Sequence, residues 1–176
     1  MVIVVGTSHT IQTTDLALQP FLENLCQKFN ARAVAEEMSE EALAEKDRAA
    51  SIPMHVAKAL QIRHRFCDPD KAQRAKLGIR QENDFRLEAI LSNSALSEPE
   101  VAACLADSHA RRERYWLDQL RDFNVWPVLF VCGADHVASF SQLLKQQDMA
   151  VHVAAEDWAS NNTVERDAPQ AARPSL

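Results

Sequence analysis

The chain has 176 residues, of which 47% are hydrophobic and 25% charged, a balance typical of one globular domain with a substantial core. Its 25 acidic and 19 basic residues give a formal net charge of -6, and unspecific nucleic-acid binding normally needs a basic excess instead. No apolar run approaches the ~20 residues that span a bilayer, and no basic residue precedes the first strand as in a secretory signal. We therefore expect neither nucleic acid nor a membrane as a partner.

The predicted elements alternate between short apolar strands and helices. In chain order, the first half gives a strand at 2–5, a polar turn at 10–15, a helix at 15–29, a strand at 31–38, helices at 39–50 and 51–60, and a strand at 61–68. The second half gives helices at 70–77, around 85–91 and at 97–122, a strand at 126–132, a helix at 139–147 and a strand at 150–154. Asp68 is expected to cap the helix at 70–77, and Ser97 with Glu100 predicts a capping box for the long helix.

This alternation predicts an α/β fold with a mostly parallel central sheet of about five strands flanked by helices. The extra helices between the third and fourth strands form a helical insert. We expect a single domain over residues 1–158. Residues 159–176 are polar and contain two prolines, which predicts a disordered C-terminal tail.

One short motif occurs twice, each time at the end of a predicted strand. VIVVGTSH places Gly6 three residues before His9, and VLFVCGADH places Gly133 three residues before His136. A glycine that closes a buried strand lets the chain turn sharply and puts the following histidine at the strand's carboxyl end. The two copies therefore predict two imidazoles at the same edge of one sheet.

Every predicted strand ends in ionisable side chains. These are His9 after the first strand, Glu36 and Glu37 at the end of the second, Asp68 after the third, Asp135 and His136 after the fourth, and Glu156 and Asp157 after the fifth. Parallel sheets bind ligands outside the carboxyl ends of their strands. A sheet that served only as a scaffold would not need this arrangement, so we expect a functional site at this edge.

The paired GxxH motifs and the strand-end glutamate resemble a superfamily that contains TraB, Tiki proteases, ChaN-like proteins and erythromycin esterases. The matching residues are Gly6 and His9, Gly133 and His136, and Glu37 or its neighbour Glu36 in VAEEM. The chain resembles a small bacterial member. The resemblance implies hydrolysis at the sheet edge, metal-dependent in the Tiki branch, and heme-iron binding in the ChaN branch.

The residues also predict chemistry without the resemblance. Two neutral imidazoles and a carboxylate (His9, His136 and Glu37) could hold a divalent metal ion that acidifies a bound water. Without a metal, the same groups could act as general acid and base, with the pKa of Glu37 raised towards neutrality by burial. In either case water attacks a polarised carbon or phosphorus. The structural alternative is that both histidines only hydrogen-bond strand ends or cap helices.

Five further residues are candidates for substrate binding: Gln12, Glu36, Asp68, Arg112 and Asp135. An arginine at position 112 could reach an anionic substrate group, although residues 112–114 also read as the solvated face of a helix. Asp135 could orient an imidazole or cap the next helix. His55, His109 and His152 are expected to be surface or packing residues.

The expected function is a small hydrolase that acts on a small molecule or peptide. The alternative is a binding module without catalysis, which would take a metal, a heme or a small anionic ligand. A homodimer could form through the charged long helix. The cysteines have no CxxC spacing, which is typical of reduced thiols and predicts a cytoplasmic location: Cys26, Cys67, Cys104 and Cys132.

Overall fold

The computed structural model describes residues 1–91 and 97–159. Within them, five strands form one sheet: β1 (Val2–Thr7), β2 (Ala33–Glu36), β3 (Arg63–Phe66), β4 (Val128–Gly133) and β5 (Val151–Ala155). All neighbouring strands are parallel, in the order β3-β2-β4-β1-β5. This confirms the predicted α/β fold with a parallel central sheet. The predicted tail lies outside the described residues, apart from residue 159.

Helices connect and flank the strands. In the described ranges they are α1 (His9–Thr14), α2 (Leu18–Phe29), α3 (Glu40–Glu45), α4 (Ile52–Ala59), α5 (Lys71–Leu77), α6 (Glu82–Leu91), α7 (Glu98–Phe123) and α8 (Val137–Gln146). Helices α5 to α7 lie between β3 and β4, which confirms the helical insert, and α7 starts with the predicted capping box of Ser97 and Glu100. None of the helices in these ranges is long and apolar enough to cross a membrane.

Both faces of the sheet are covered by helices, which explains why the three central strands β1, β2 and β4 are buried and largely apolar without alternation. On one face, Val4 and Phe130 pack against α7 and α8. On the other face, Ile3 and Leu129 pack against α2 and α4. All four side chains are fully buried, and burying one of this size contributes about 1.5–3 kcal/mol. The core therefore holds the three central strands rigidly between two helical layers.

The strand order places the predicted site residues together. Strand β4 lies between β1 and β2, so the carboxyl ends of these three strands are neighbours. His9 follows β1, Glu37 follows β2, and His136 ends a 3-10 turn (Ala134–His136) that follows β4. A different strand order, with β3 or β5 in the middle, would have separated the two histidines.

The segment 10–15 is largely helical, so the prediction of a polar turn there was wrong. Helix α1 begins at His9 because Ser8 Oγ accepts the backbone N–H of Ile11 at 3.3 Å. The hydroxyl of Thr14 donates to a carbonyl one turn earlier at 2.8 Å, so this threonine is satisfied within the helix. His9 is consequently the first residue of a helix, directly after β1.

Two other local predictions were also wrong. Helix α5 is capped by Asp70, whose carboxylate accepts the N–H of Gln73 at 2.7 Å, so Asp68 is not the cap. The helix predicted at 39–50 ends at Glu45, and the chain then takes a left-handed turn. Because Asp70 supplies the cap, the carboxylate of Asp68 is available for other contacts.

Gly6 is required by a close approach of the chain that follows β5. The N–H of Trp158 donates to the carbonyl of Gly6 at 2.7 Å, and the hydroxyl of Thr7 donates to the carbonyl of Trp158 at 2.9 Å. A Cβ atom at Gly6 would lie 1.9 Å from the carbonyl oxygen of Glu156. The first glycine of the repeated motif therefore has a packing role beside the site.

We predict that Gly6→Ala destabilises the protein by about 3 kcal/mol, because backbone atoms must move to admit the methyl group. The matched control is Gly133→Ala, where the nearest atom to the new Cβ is a side-chain oxygen at 3.3 Å. Urea unfolding of both variants measures the difference. An equal loss of stability in the two variants would contradict the packing role of Gly6.

Candidate functional site

The three residues that the motifs predicted converge at the carboxyl edge of the sheet. His9 Nε2 lies 3.4 Å from Glu37 Oε1, and His136 Nε2 lies 3.8 Å from the same oxygen. They line a cleft of about 380 Å³. The side chain of His9 is 41% exposed at the cleft, whereas those of Glu37 and His136 are 0% and 6% exposed. One imidazole is thus accessible to solvent and the other is held inside.

The carboxylate of Glu37 is held at both oxygens. Oε2 accepts the backbone N–H of Gly133 at 2.6 Å, and Oε1 lies 2.8 Å from Arg112 Nη1. The second glycine of the repeated motif therefore supplies a backbone donor to the glutamate at the end of the neighbouring strand. This contact links the ends of β2 and β4 and fixes the carboxylate that both imidazoles face.

Arg112 connects this carboxylate to a second buried one. Its Nε and Nη2 donate to Asp68 at 2.6 and 2.7 Å, and Trp116 Nε1 donates to the same aspartate at 3.0 Å. Arg74 also pairs with Asp68. Burial alone would lower the pKa of Arg112, but Glu37 and Asp68 raise it above its usual value. The guanidinium of Arg112 is thus already paired with two protein carboxylates, those of Glu37 and Asp68. Its role in substrate binding stays a prediction.

The predicted rise in the pKa of Glu37 is wrong. Burial does raise the pKa, but the charge of Arg112, the hydrogen bond of His9 and the charge of His136 together outweigh it. The result is a pKa of about 2 instead of 4.5. Glu37 therefore remains ionised in the working pH range and cannot serve as a proton donor. Its chemical role is to hold and orient the cationic groups around it.

A second glutamate, which the sequence did not single out, orients His136. His136 Nδ1 lies 2.9 Å from Glu113 Oε1, and Ser139 Oγ donates to the same oxygen at 2.6 Å. Because a carboxylate oxygen can only accept, His136 Nδ1 is the donor in this contact, and Nε2 is the ring nitrogen that faces the cleft. A carboxylate, an imidazole and an open nitrogen in this order are the parts of a general base.

Helix α7 supplies a third imidazole to the cleft. His109 lies one turn before Glu113 and lines the cleft, with its ring centroid 4.3 Å from that of His136. Burial, and then the charge of His136, lower the pKa of His109. His109 is therefore not a plain surface residue, and Glu113 is not part of a solvated face. The signal was the helical spacing of His109, Glu113 and Trp116, which places them on one face.

The other predicted binding residues are placed differently. Asp135 is exposed and lines the cleft together with Asp157. Glu36 is fully buried, accepts a hydrogen bond from Ser51 Oγ, and lies 2.8 Å from His64 Nε2. Gln12 is also fully buried and does not line the cleft, and its amide has no partner among the described residues. Glu36 and Gln12 therefore lie outside the cleft, and their role in substrate binding stays a prediction.

His9, Glu37 and His136 do not fit a metal ion, although the sequence suggested them as ligands. In the described part of the chain, no group of three or more His, Cys, Asp or Glu side chains is placed to hold one. The guanidinium of Arg112 lies beside Glu37 Oε1 and supplies the positive charge there, while Gly133 takes the other oxygen. A divalent ion would have to displace this arginine.

We predict that Glu37 makes stability depend on pH below about 5. Its pKa is lower in the folded chain, about 2 against 4.5, so its contribution is complete above pH 5 and is lost as the pH falls towards 2. A shift of this size corresponds to about 3 kcal/mol. Urea unfolding at pH 5 and pH 3 should show a larger loss for the natural protein than for Glu37→Gln. Equal losses would contradict the assignment.

The chain matches no protein-family model, no curated protein and no solved structure. The resemblance to the superfamily of TraB, Tiki proteases, ChaN-like proteins and erythromycin esterases thus rests on the two GxxH motifs and the strand-end glutamate, and it stays a prediction. The cleft itself brings the imidazoles of His9, His109 and His136 together with the ionised carboxylate of Glu37.

Proposed function

We propose that this protein is a small hydrolase that activates water at the His9, Glu37 and His136 site. One observation carries the proposal: Glu113 holds His136 Nδ1, so that His136 Nε2 faces a cleft which also holds the half-exposed imidazole of His9. A general base needs a fixed tautomer and an open nitrogen, and His136 has both. The resemblance to hydrolases with paired GxxH motifs agrees with this proposal.

In the proposed reaction, a water molecule in the cleft gives a proton to His136 Nε2 while its oxygen attacks a polarised carbonyl carbon. His9, at the open side of the cleft, gives a proton to the departing oxygen or nitrogen as its bond to that carbon breaks. His136 then releases its proton to solvent and His9 regains one. Glu37 stays ionised throughout and stabilises the protonated form of either imidazole.

The charges of the cleft favour a neutral substrate. Asp135, Asp157 and Glu37 line it with three carboxylates, whereas its arginine, Arg112, is already paired with Glu37 and Asp68. A phosphoester would be repelled by the exposed carboxylates of Asp135 and Asp157, and Arg112, which is already paired, is not free to bind its phosphate. A cleft of about 380 Å³ holds a small molecule or one or two residues of a peptide. We therefore favour an ester or amide substrate.

The free cysteines support a cytoplasmic location for this activity. All four cysteines are free thiols, and three of them are buried: Cys26, Cys67 and Cys132. Burial raises the pKa of Cys26 to about 12, and it raises the pKa of Cys132 far above its usual range as well. Buried thiols of this kind are unreactive, and four cysteines without a disulfide are typical of a protein in a reducing compartment such as the cytoplasm.

We predict that His136→Ala and His9→Ala each lower kcat/KM by roughly 10²- to 10⁴-fold, the usual contribution of general acid–base catalysis. The matched control is His55→Ala, because His55 is an exposed histidine on α4, away from the cleft. Turnover is measured with a panel of neutral esters, neutral amides and phosphoesters, with and without a chelator. The stability of each variant is measured by thermal unfolding. We expect ester or amide turnover that the chelator does not change.

Several results would contradict the proposal. If His9→Ala and His136→Ala unfold while His55→Ala does not, the two histidines are structural. If a compound binds stoichiometrically at this cleft without turnover, the chain is a binding module. If only phosphoesters are cleaved, the choice of an ester or amide substrate is wrong.

A further inference from the structure

A second cleft lies at the opposite, amino-terminal edge of the sheet. It has a volume of about 550 Å³ and is formed by the segments that enter β2 and β3 and the segment between α7 and β4. The residues that line it are Ala31, Arg32, Gln61, Ile62, Arg63, Asn124, Val125 and Trp126. Both charged residues of this lining are arginines. A strand of six residues spans on the order of 20 Å, so this cleft is separate from the His–Glu site.

The arginines of this cleft are not neutralised by the protein. Other arginines form ion pairs, as Arg111 does with Asp107 and Arg112 with Asp68. The guanidinium groups of Arg32 and Arg63, by contrast, have neither an ion pair nor a hydrogen bond among residues 1–91 and 97–159. Two exposed arginines that line one concave site, with no carboxylate in its lining, give this cleft a positive charge that would attract an anion.

The positions of these arginines are partly fixed before a ligand arrives. Arg32 and Arg63 enter neighbouring strands, and the N–H of Arg63 donates to the carbonyl of Arg32 at 3.4 Å. The guanidinium of Arg63 stacks over the ring of Phe123 at 4.6 Å, and a stacked arginine keeps its outward N–H donors. Two guanidinium groups on adjacent strands suit the several oxygens of a phosphate group better than a single carboxylate.

The rest of the lining includes one aromatic side chain and one side-chain amide of interest, Trp126 and Gln61. Trp126 is half-buried, and its Nε1 donates to Asn124 Oδ1 at 3.1 Å, which holds the indole in place. Gln61 adds an exposed side-chain amide. An indole face can stack on a planar ring, and amides can hydrogen-bond to the polar edge of such a ring.

We propose that this cleft binds a small organic phosphate that carries a planar ring, of which a nucleoside monophosphate is the simplest example. Arg32 and Arg63 hold the phosphate oxygens, and Trp126 contacts the ring. The cleft has no imidazole and no carboxylate in its lining, so it binds its ligand without chemistry. This site is independent of the proposed hydrolase activity.

Isothermal titration calorimetry with AMP, inorganic phosphate and adenosine tests the proposal. We expect AMP to bind most tightly, phosphate more weakly and adenosine weakest, with affinity for AMP falling as salt is added. Arg32→Gln and Arg63→Gln should each weaken AMP binding roughly tenfold or more, as expected for a lost charged hydrogen bond. Arg114→Gln is the matched control, because Arg114 is an exposed arginine of α7 outside the cleft.

AMP should also change the fluorescence of Trp126, and Trp126→Phe should remove that change.

The proposal is overturned if AMP does not bind, if adenosine binds as tightly as AMP, or if Arg114→Gln weakens binding as much as the cleft variants do. It is also overturned if His9→Ala or His136→Ala, rather than the arginine variants, abolishes AMP binding, since AMP would then occupy the other site. Arg32 does not contact Phe123 and is exposed, so Arg32→Gln decides the question even if Arg63→Gln disturbs the fold.

Discussion

The candidate site depends on one buried ion pair, between Glu37 and Arg112. A carboxylate with no exposed surface would normally take up a proton, but the guanidinium at 2.8 Å keeps this one charged. Removing either partner would leave a buried charge without compensation, which typically costs about 3–5 kcal/mol. Asp68 then balances the charge of Arg112. These linked ion pairs connect three parts of the protein at the sheet edge: the end of β2, helix α7, and the segment that follows β3.

The two imidazoles take their positions from this framework. His9 starts a helix directly after β1 and faces Glu37, while His136 is held between Glu113 and the same carboxylate. Both imidazoles face the same oxygen of Glu37, so this one carboxylate interacts with both of them. It also explains why the helical insert is part of the site, since α7 supplies Arg112 and Glu113.

Much of the fold and the centre of the site could be predicted from the sequence, because both depend on short-range patterns. Apolar runs that end in Gly6 and Gly133 predict buried strands, and parallel strands bring His9 and His136 to one edge. Arg112 on α7 was a candidate from the sequence, but the contacts of Arg112 and Glu113 could not be predicted, because they depend on how a long helix docks across the sheet. The pKa of Glu37 was predicted in the wrong direction for the same reason: burial is evident from the sequence, but the position of Arg112 is not.

The central claim is that Glu37 is a carboxylate with a strongly lowered pKa that faces two imidazoles, and its titration tests this claim most directly. Carbon-13 NMR of the Glu37 side-chain carboxyl group, followed from pH 7 to pH 2, reports its protonation. The account predicts a midpoint near 2 in the natural protein and a clearly higher midpoint in Arg112→Gln. A midpoint at or above 4.5 in the natural protein would contradict it, since Arg112 and the two imidazoles would then not lower the pKa of Glu37.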